Sequence, residues 1–149
     1  LIYKMQFSGE LIEAKLIKRY KRFLADIIFE NGYSTTVYCP NPGSLLGLAE
    51  KNTKIWLEKS KNKNAKYQYK WKLTELYDGT LVCIDTQMAN MIINENIKLG
   101  KIPEFCQYDT IISEPKIDSG SRLDFLLKSE GGVPCYIEVK SSTASFFDP

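Results

Sequence analysis

The chain has 149 residues, 44% hydrophobic and 26% charged, an ordinary globular composition with apolar content for one good core or two small ones. It contains no histidine, which excludes Ser-His and Cys-His nucleophilic machinery, zinc-histidine sites and histidine general bases. The net charge of +2 hides an asymmetry: residues 1–80 carry 14 Lys and Arg against 8 Asp and Glu, whereas residues 81–149 carry 6 against 10, as expected if one part holds a polyanion and the other a metal cation.

The opening Leu1-Ile-Tyr-Lys-Met-Gln-Phe is too short and too polar for a signal peptide and reads as a remnant before Met5. No apolar run approaches the roughly 20 residues of a membrane helix, so a cytoplasmic protein with no membrane partner is expected. Cys39, Cys83, Cys106 and Cys135 are widely spaced without a Cys-x-x-Cys, and are read as buried thiols of a reducing compartment.

Residues 10–30 are rich in strand formers (Leu16, Ile17, Tyr20, Phe23, Ile27, Phe29) and predict two strands with a bend near Lys21. Asn31-Gly32 predicts a hairpin turn, with Tyr33–Cys39 returning as a strand. Pro40-Asn-Pro-Gly-Ser44 predicts a rigid exposed loop, and Leu45–Leu48 one helical turn. Gly43 lacks the lysine and helix of a phosphate-binding loop, so a structural turn is favoured there. Lys54–Glu58 is a further strand, followed by a mobile loop from Lys59 through Lys61 and Lys63 to Lys66.

Tyr67, Tyr69 and Trp71 then alternate with Gln68, Lys70 and Lys72, and from Lys51 to Lys72 there are eight lysines against the single acid Glu58. Two readings of this strand stand. The aromatics stack on the bases of a single-stranded nucleic acid while the lysines meet its phosphates, or the aromatics fill a barrel core and the lysines form a solvated outer face. Lys18, Arg19, Lys21 and Arg22 add a second basic group. Asp78-Gly79 turns the chain into Leu81–Ile84, and five or six short strands by this point suggest an OB-like barrel.

Asp85 or Thr86 can cap a helix starting at Gln87, with Ala89, Ile92, Ile93, Ile97 and Leu99 as its apolar face and Gly100 as its stop. The domain boundary is placed between Thr80 and Thr86, giving domains 1–82 and 83–149. Ile111–Ile117 is another strand, and Arg122–Leu127 with Cys135–Lys140 forms a hairpin around Ser129-Glu-Gly-Gly132. Alternation puts Arg122 and Asp124 on one face of the first strand, and Glu138 and Lys140 on one face of the second. Two carboxylates suit a hard cation such as Mg²⁺ or Mn²⁺, and a neighbouring lysine can orient water or steady a phosphate, which suits metal-assisted phosphodiester hydrolysis. The bland alternative is a surface ion-pair ladder worth about 0–1 kcal/mol.

Asp124–x13–Glu138–x–Lys140 resembles the PD-(D/E)xK nuclease superfamily. A broader resemblance runs through Arg19-Tyr-Lys-Arg-Phe-Leu-Ala-Asp26, Cys39-Pro-Asn-Pro-Gly-Ser44, Asp85-Thr-Gln-Met-Ala-Asn90, Ser113-Glu114 with Arg122-Leu-Asp-Phe-Leu126, and Cys135-Tyr-Ile-Glu-Val-Lys-Ser141. These segments, in this order, are similar to the sugar fermentation stimulation protein family. The resemblance implies a mixed α+β chain: an N-terminal OB-fold that binds DNA, and a PD-(D/E)xK nuclease-like domain. It implies metal roles for Asp124 and Glu138 and a catalytic role for Lys140, with Glu95 or Glu114 completing the metal set. DNA would be held mostly through phosphates by Lys18, Arg19, Lys21, Arg22, Lys59, Lys61, Lys63, Lys66 and Lys70, with Arg122 either contacting phosphate or pairing with Asp124.

Two function classes follow: a metal-dependent nuclease, and a non-catalytic DNA-binding regulator of sugar (maltose) metabolism genes. The superfamily fold normally continues with a helix and a strand beyond the Glu-x-Lys strand, whereas this chain reads Phe146-Phe-Asp-Pro149 and stops. A truncated domain is therefore expected to be poorly stable alone or to associate with copies of itself as a homo-oligomer.

Overall fold

The computed structural model describes residues 6–117 and 120–145; the Leu1–Met5 start and the Phe146–Pro149 end lie outside the described residues. Contacts divide the chain into two units, residues 1–87 with 142–149, and residues 88–141.

The β-branched and aromatic residues of the first unit make six strands: β1 (Leu11–Tyr20), β2 (Leu24–Ile28), β3 (Ser34–Tyr38), β4 (Lys54–Lys59), β5 (Tyr69–Glu75) and β6 (Leu81–Cys83). They hydrogen-bond in the order β3-β2-β1-β4-β5-β6, and β3 also pairs with β5 at Tyr38 and Lys70. That second pairing closes β1–β5 into an OB-like five-stranded barrel, with β6 added to β5. The bend after β1 falls at Lys21 and Arg22, both with positive φ, and Gly32 (φ 83°) makes the turn between β2 and β3. The strands bury alternate residues, as a barrel requires: Ala14 and Leu16, Ala25 and Ile27, Ile55 and Leu57, with Val37, Trp71 and Ile84 completing one core.

Several local expectations are corrected. The 40–44 loop is not fully exposed: Pro40 and Asn41 are buried, because Asn41 Nδ2 donates to the Ile84 carbonyl (2.9 Å) and to Thr143 Oγ1 (3.1 Å) and its Oδ1 accepts the Gly43 N–H (2.8 Å). A polar side chain with that many partners can be buried at little cost. Leu45–Leu48 is a single turn, closed by the Leu48 N–H on the Leu45 carbonyl, not a turn of helix. β5 does not present a solvated basic face. Trp71 is fully buried, and Lys72 is buried on the other side of the strand.

In the second unit, α1 (Thr86–Lys98) ends at Gly100 in the left-handed region, the usual helix stop. Its buried residues are Met88 and Ile97; of the predicted face Ala89, Ile93 and Leu99 are half-buried, and Ile92 is exposed. A 3₁₀ turn (Pro103–Phe105) leads to an antiparallel sheet of β7 (Thr110–Ser113), β8 (Phe125–Lys128) and β9 (Cys135–Ile137), in that order. Phe125, Leu126 and Leu127 are all buried. All four cysteines are free thiols; Cys39 is buried, and burial raises its pKa and that of Cys83, but Cys106 is exposed.

Candidate functional site

The β8–β9 hairpin is present around Ser129–Gly132, with the register Phe125↔Ile137, Leu126↔Tyr136, Leu127↔Cys135, while Arg122 bridges to Lys116. The paired strands stop at Phe125 and Ile137. Two residues past the end of the ladder a side chain takes the strand amide instead: Asp124 Oδ2 accepts the Val139 N–H at 2.6 Å. Asp124 Oδ1 accepts from Asn90 Nδ2, also at 2.6 Å. Both carboxylate oxygens are held by neutral donors, one from the backbone and one from α1.

Glu138 and Lys140 share a face as alternation requires, with Lys140 Nζ 2.8 Å from Glu138 Oε1. The hydrogen bond to Glu138 and its charge raise the Lys140 pKa, so this ammonium stays protonated at neutral pH. Both side chains are substantially exposed. Glu114 lies opposite Asp124 by the β7–β8 register, and its N–H donates to the Asp124 carbonyl (2.9 Å). Its φ of 50° takes it out of strand geometry, and its carboxylate pairs at 3.6 Å with the exposed Arg122. Arg122 therefore joins Glu114, not Asp124. Glu95 sits half-buried on α1. Among the described residues, no three Cys, Asp or Glu side chains gather as a ready metal cage. Asp124 and Glu138 do fit the donor chemistry of a hard divalent ion, since both offer only oxygens and a carboxylate oxygen that accepts one hydrogen bond keeps a second lone pair. Asn90 is the group the charge-based reading missed. A neutral amide carries no electrostatic signature, although it closes the Asp85–Asn90 segment already singled out.

The first unit carries the basic residues. Lys59, Lys61, Lys66 and Lys70 converge with Tyr38 and Tyr67 on one pocket of about 380 Å³. Lys63 is exposed in the same 60–68 loop. Lys70 is not a solvated cation: its Nζ lies 2.8 Å from Asp85 Oδ2 and 2.9 Å from Gln87 Oε1. Asp85 is buried, accepts from Lys72 Nζ at 2.6 Å, and caps α1 by accepting the Gln87 N–H at 3.2 Å. Burial works against the Asp85 charge, but hydrogen bonds from Lys70 and Lys72 outweigh it and lower its pKa. Glu58 completes the group, 3.5 Å from Lys72 and bonded by Ser8 through both N–H and Oγ.

The second basic group is divided in role. Arg19 donates to the carbonyls of Arg22, Asn41 and Ser44, which fixes the 41–44 loop against β1. Lys18 pairs with Asp26 at 3.6 Å and lies over the Tyr20 ring. Lys21 and Arg22 are exposed on their turn. No helix is long and apolar enough to cross a membrane, among the described residues.

Residues 17–84 match the family model described as the SfsA N-terminal OB domain, and residues 87–147 match that of the sugar fermentation stimulation protein RE domain. The chain is 46% identical over 134 residues to the sugar fermentation stimulation protein homolog of Haemophilus influenzae, covering 89% of this chain and 56% of that protein. It is 41% identical over 139 residues to the homolog of Ruegeria pomeroyi, covering 93% and 60%. Among solved structures it is similar to Pyrococcus furiosus SfsA in complex with Ca²⁺, with a TM-score of 0.77 and 22% identity, covering 90% of this chain and 55% of that one; this likeness concerns the fold. The chain spans 55–61% of the length of these curated relatives.

Proposed function

This chain belongs to the sugar fermentation stimulation protein family, and on that premise we propose that it binds DNA through phosphate contacts and carries a divalent-metal site of the PD-(D/E)xK nuclease kind in its second unit. The observation that supports the reading is the run just past the β8–β9 ladder, where the Val139 N–H donates to Asp124 Oδ2 at 2.6 Å and Lys140 is bonded to the neighbouring Glu138 at 2.8 Å. The presence of Ca²⁺ in the similar Pyrococcus furiosus protein supports a divalent ion.

Asp124 and Glu138 would hold a Mg²⁺ or Mn²⁺, which when bound supplies positive charge to the scissile phosphate and its leaving oxygen. Asn90 and the Val139 N–H fix the plane of the Asp124 carboxylate. Lys140 orients the attacking water as a hydrogen-bonding positive charge; its raised pKa keeps it protonated, so it does not act as the base while Glu138 holds it. Arg122, paired only at an exposed surface, is free to exchange Glu114 for a phosphate. In the first unit, the exposed Lys59, Lys61, Lys63 and Lys66 supply the electrostatic hold on DNA.

The alternative is a non-catalytic DNA-binding regulator, in keeping with the Glu114 carboxylate being turned to Arg122 and with no three acids gathering as a metal cage among the described residues. The two readings part in a cleavage assay on the whole protein with Mg²⁺ or Mn²⁺, comparing the wild type with Asp124→Ala and Lys140→Ala. The nuclease reading expects metal-dependent cleavage that each substitution abolishes with DNA affinity kept. Equal DNA affinity in all three proteins and no metal-dependent cleavage would sink it.

A further inference from the structure

The 380 Å³ pocket of the first unit lies within the roughly 300–1,000 Å³ of sites that hold small organic groups. Its chemistry is unusual for a surface hollow. Lys59, Lys61 and Lys66 supply ammonium groups, Lys70 being held by Asp85 and Gln87, and Tyr38, Tyr67 and Tyr69 supply rings. Glu58, also on its wall, has its carboxylate engaged by Ser8 and Lys72, so it presents little uncompensated negative charge to a ligand. Lys66 Nζ already sits 5.4 Å from the centre of the Tyr67 ring, so a cation and an aromatic face are offered together.

A duplex can satisfy only half of this wall. Its phosphates can meet the exposed lysines, but its bases are stacked and paired, and none can reach a tyrosine set in a concave pocket. An unpaired nucleotide brings both a π-face and a phosphate, which are the two groups the wall is made to receive. We propose that this pocket takes one unpaired nucleotide, base against Tyr67 and phosphate among Lys59, Lys61 and Lys66, so that the first unit selects single-stranded over duplex DNA. The inference rests on the DNA-binding reading above and adds the class of strand to it.

The test is the affinity of the protein for an oligothymidylate and for a duplex of equal length at one salt concentration, with inorganic polyphosphate as competitor. The wild type should favour the single strand about ten-fold, and polyphosphate should displace duplex more readily than single strand. Tyr67→Leu should lose about ten-fold for the single strand and leave duplex binding unchanged, which also shows that the variant is folded; Tyr67→Phe should keep the preference. Equal wild-type affinity for both strands overturns the proposal while leaving DNA binding intact. No binding of either form overturns the DNA-binding reading itself and this inference with it. If Tyr67→Leu fails to fold, the wild-type ratio decides alone.

Discussion

At Asp124 both carboxylate oxygens already have donors, 2.6 Å from Asn90 Nδ2 and 2.6 Å from the Val139 N–H. Such partners orient a metal-binding group, and their loss ordinarily costs 10–100-fold in affinity. On the proposed metal site, Asn90→Ala is therefore expected to weaken Mn²⁺ binding at least ten-fold in a calorimetric titration without metal-dependent turnover as the readout; unchanged affinity would remove Asn90 from that proposed site. Asp85 poses a different problem. It is buried with Lys72, and its pKa is held below the ordinary value of about 3.9. Its contribution to stability is therefore present above that value and lost as pH falls through the lowered folded value. Urea midpoints of the wild type should fall below about pH 4, and Asp85→Asn should flatten that fall. Asp85→Ala, which leaves Lys72 with Glu58 alone of the two acids and uncaps α1, should cost about 3–5 kcal/mol. The shared face of Glu138 and Lys140 was legible in the sequence because charged residues at alternating positions stand out. Asn90 was not, because a hydrogen-bonded amide looks like any polar helix residue until the strand it serves is in place.

At the scale of elements, the barrel strands and their turns follow from period-two burial and from Asn31-Gly32. β5 is where that logic stops. Alternation gave it an aromatic face and a basic one without deciding whether the aromatics meet nucleic acid or the core, and Trp71 is in the core. The outer face is covered as well, however, because Asp85 and Glu58 draw Lys72 into a buried ion cluster. No local pattern announces which acid will meet a lysine 13 residues away. The 41–48 loop is a second case. Gly47 has φ 69°, and a Cβ there would stand 1.9 Å from the Ser145 carbonyl oxygen, while the Ser145 N–H donates to the Leu46 carbonyl at 2.9 Å. Gly47→Ala meets both a left-handed backbone and a clash with main chain, so it should destabilise by more than about 1 kcal/mol. Its specific sign is faster hydrogen exchange at the Ser145 amide, with exchange in β1 and β2 little changed; a Ser145 amide as protected as in the wild type would mean that the loop tolerates the methyl group.

At the scale of the whole molecule, the charge division seen in the sequence follows the units. Residues 1–87 with 142–149 hold 14 Lys and Arg against 10 Asp and Glu, and residues 88–141 hold 6 against 8. If Lys59, Lys61, Lys63 and Lys66 each neutralise one phosphate, the logarithm of DNA affinity should fall against the logarithm of salt with a slope of about −3 to −4, and each Lys→Gln should lessen that slope by about 1. A salt-independent affinity would end the electrostatic account. The first unit also draws on both ends of the described chain, since Thr143 and Ser145 bond Asn41 and Leu46 across the whole intervening unit. On the ribosome this imposes a delay: a barrel whose strands are all made by residue 83 waits for its last two hydrogen-bond partners until residue 145 has been added. At bacterial or eukaryotic elongation speeds that wait is roughly 3–12 s, long against the folding of a small β-domain. The nascent barrel must therefore stand for a time with its 41–48 loop held by Arg19, Ile84 and Thr74 but not yet by Thr143 and Ser145.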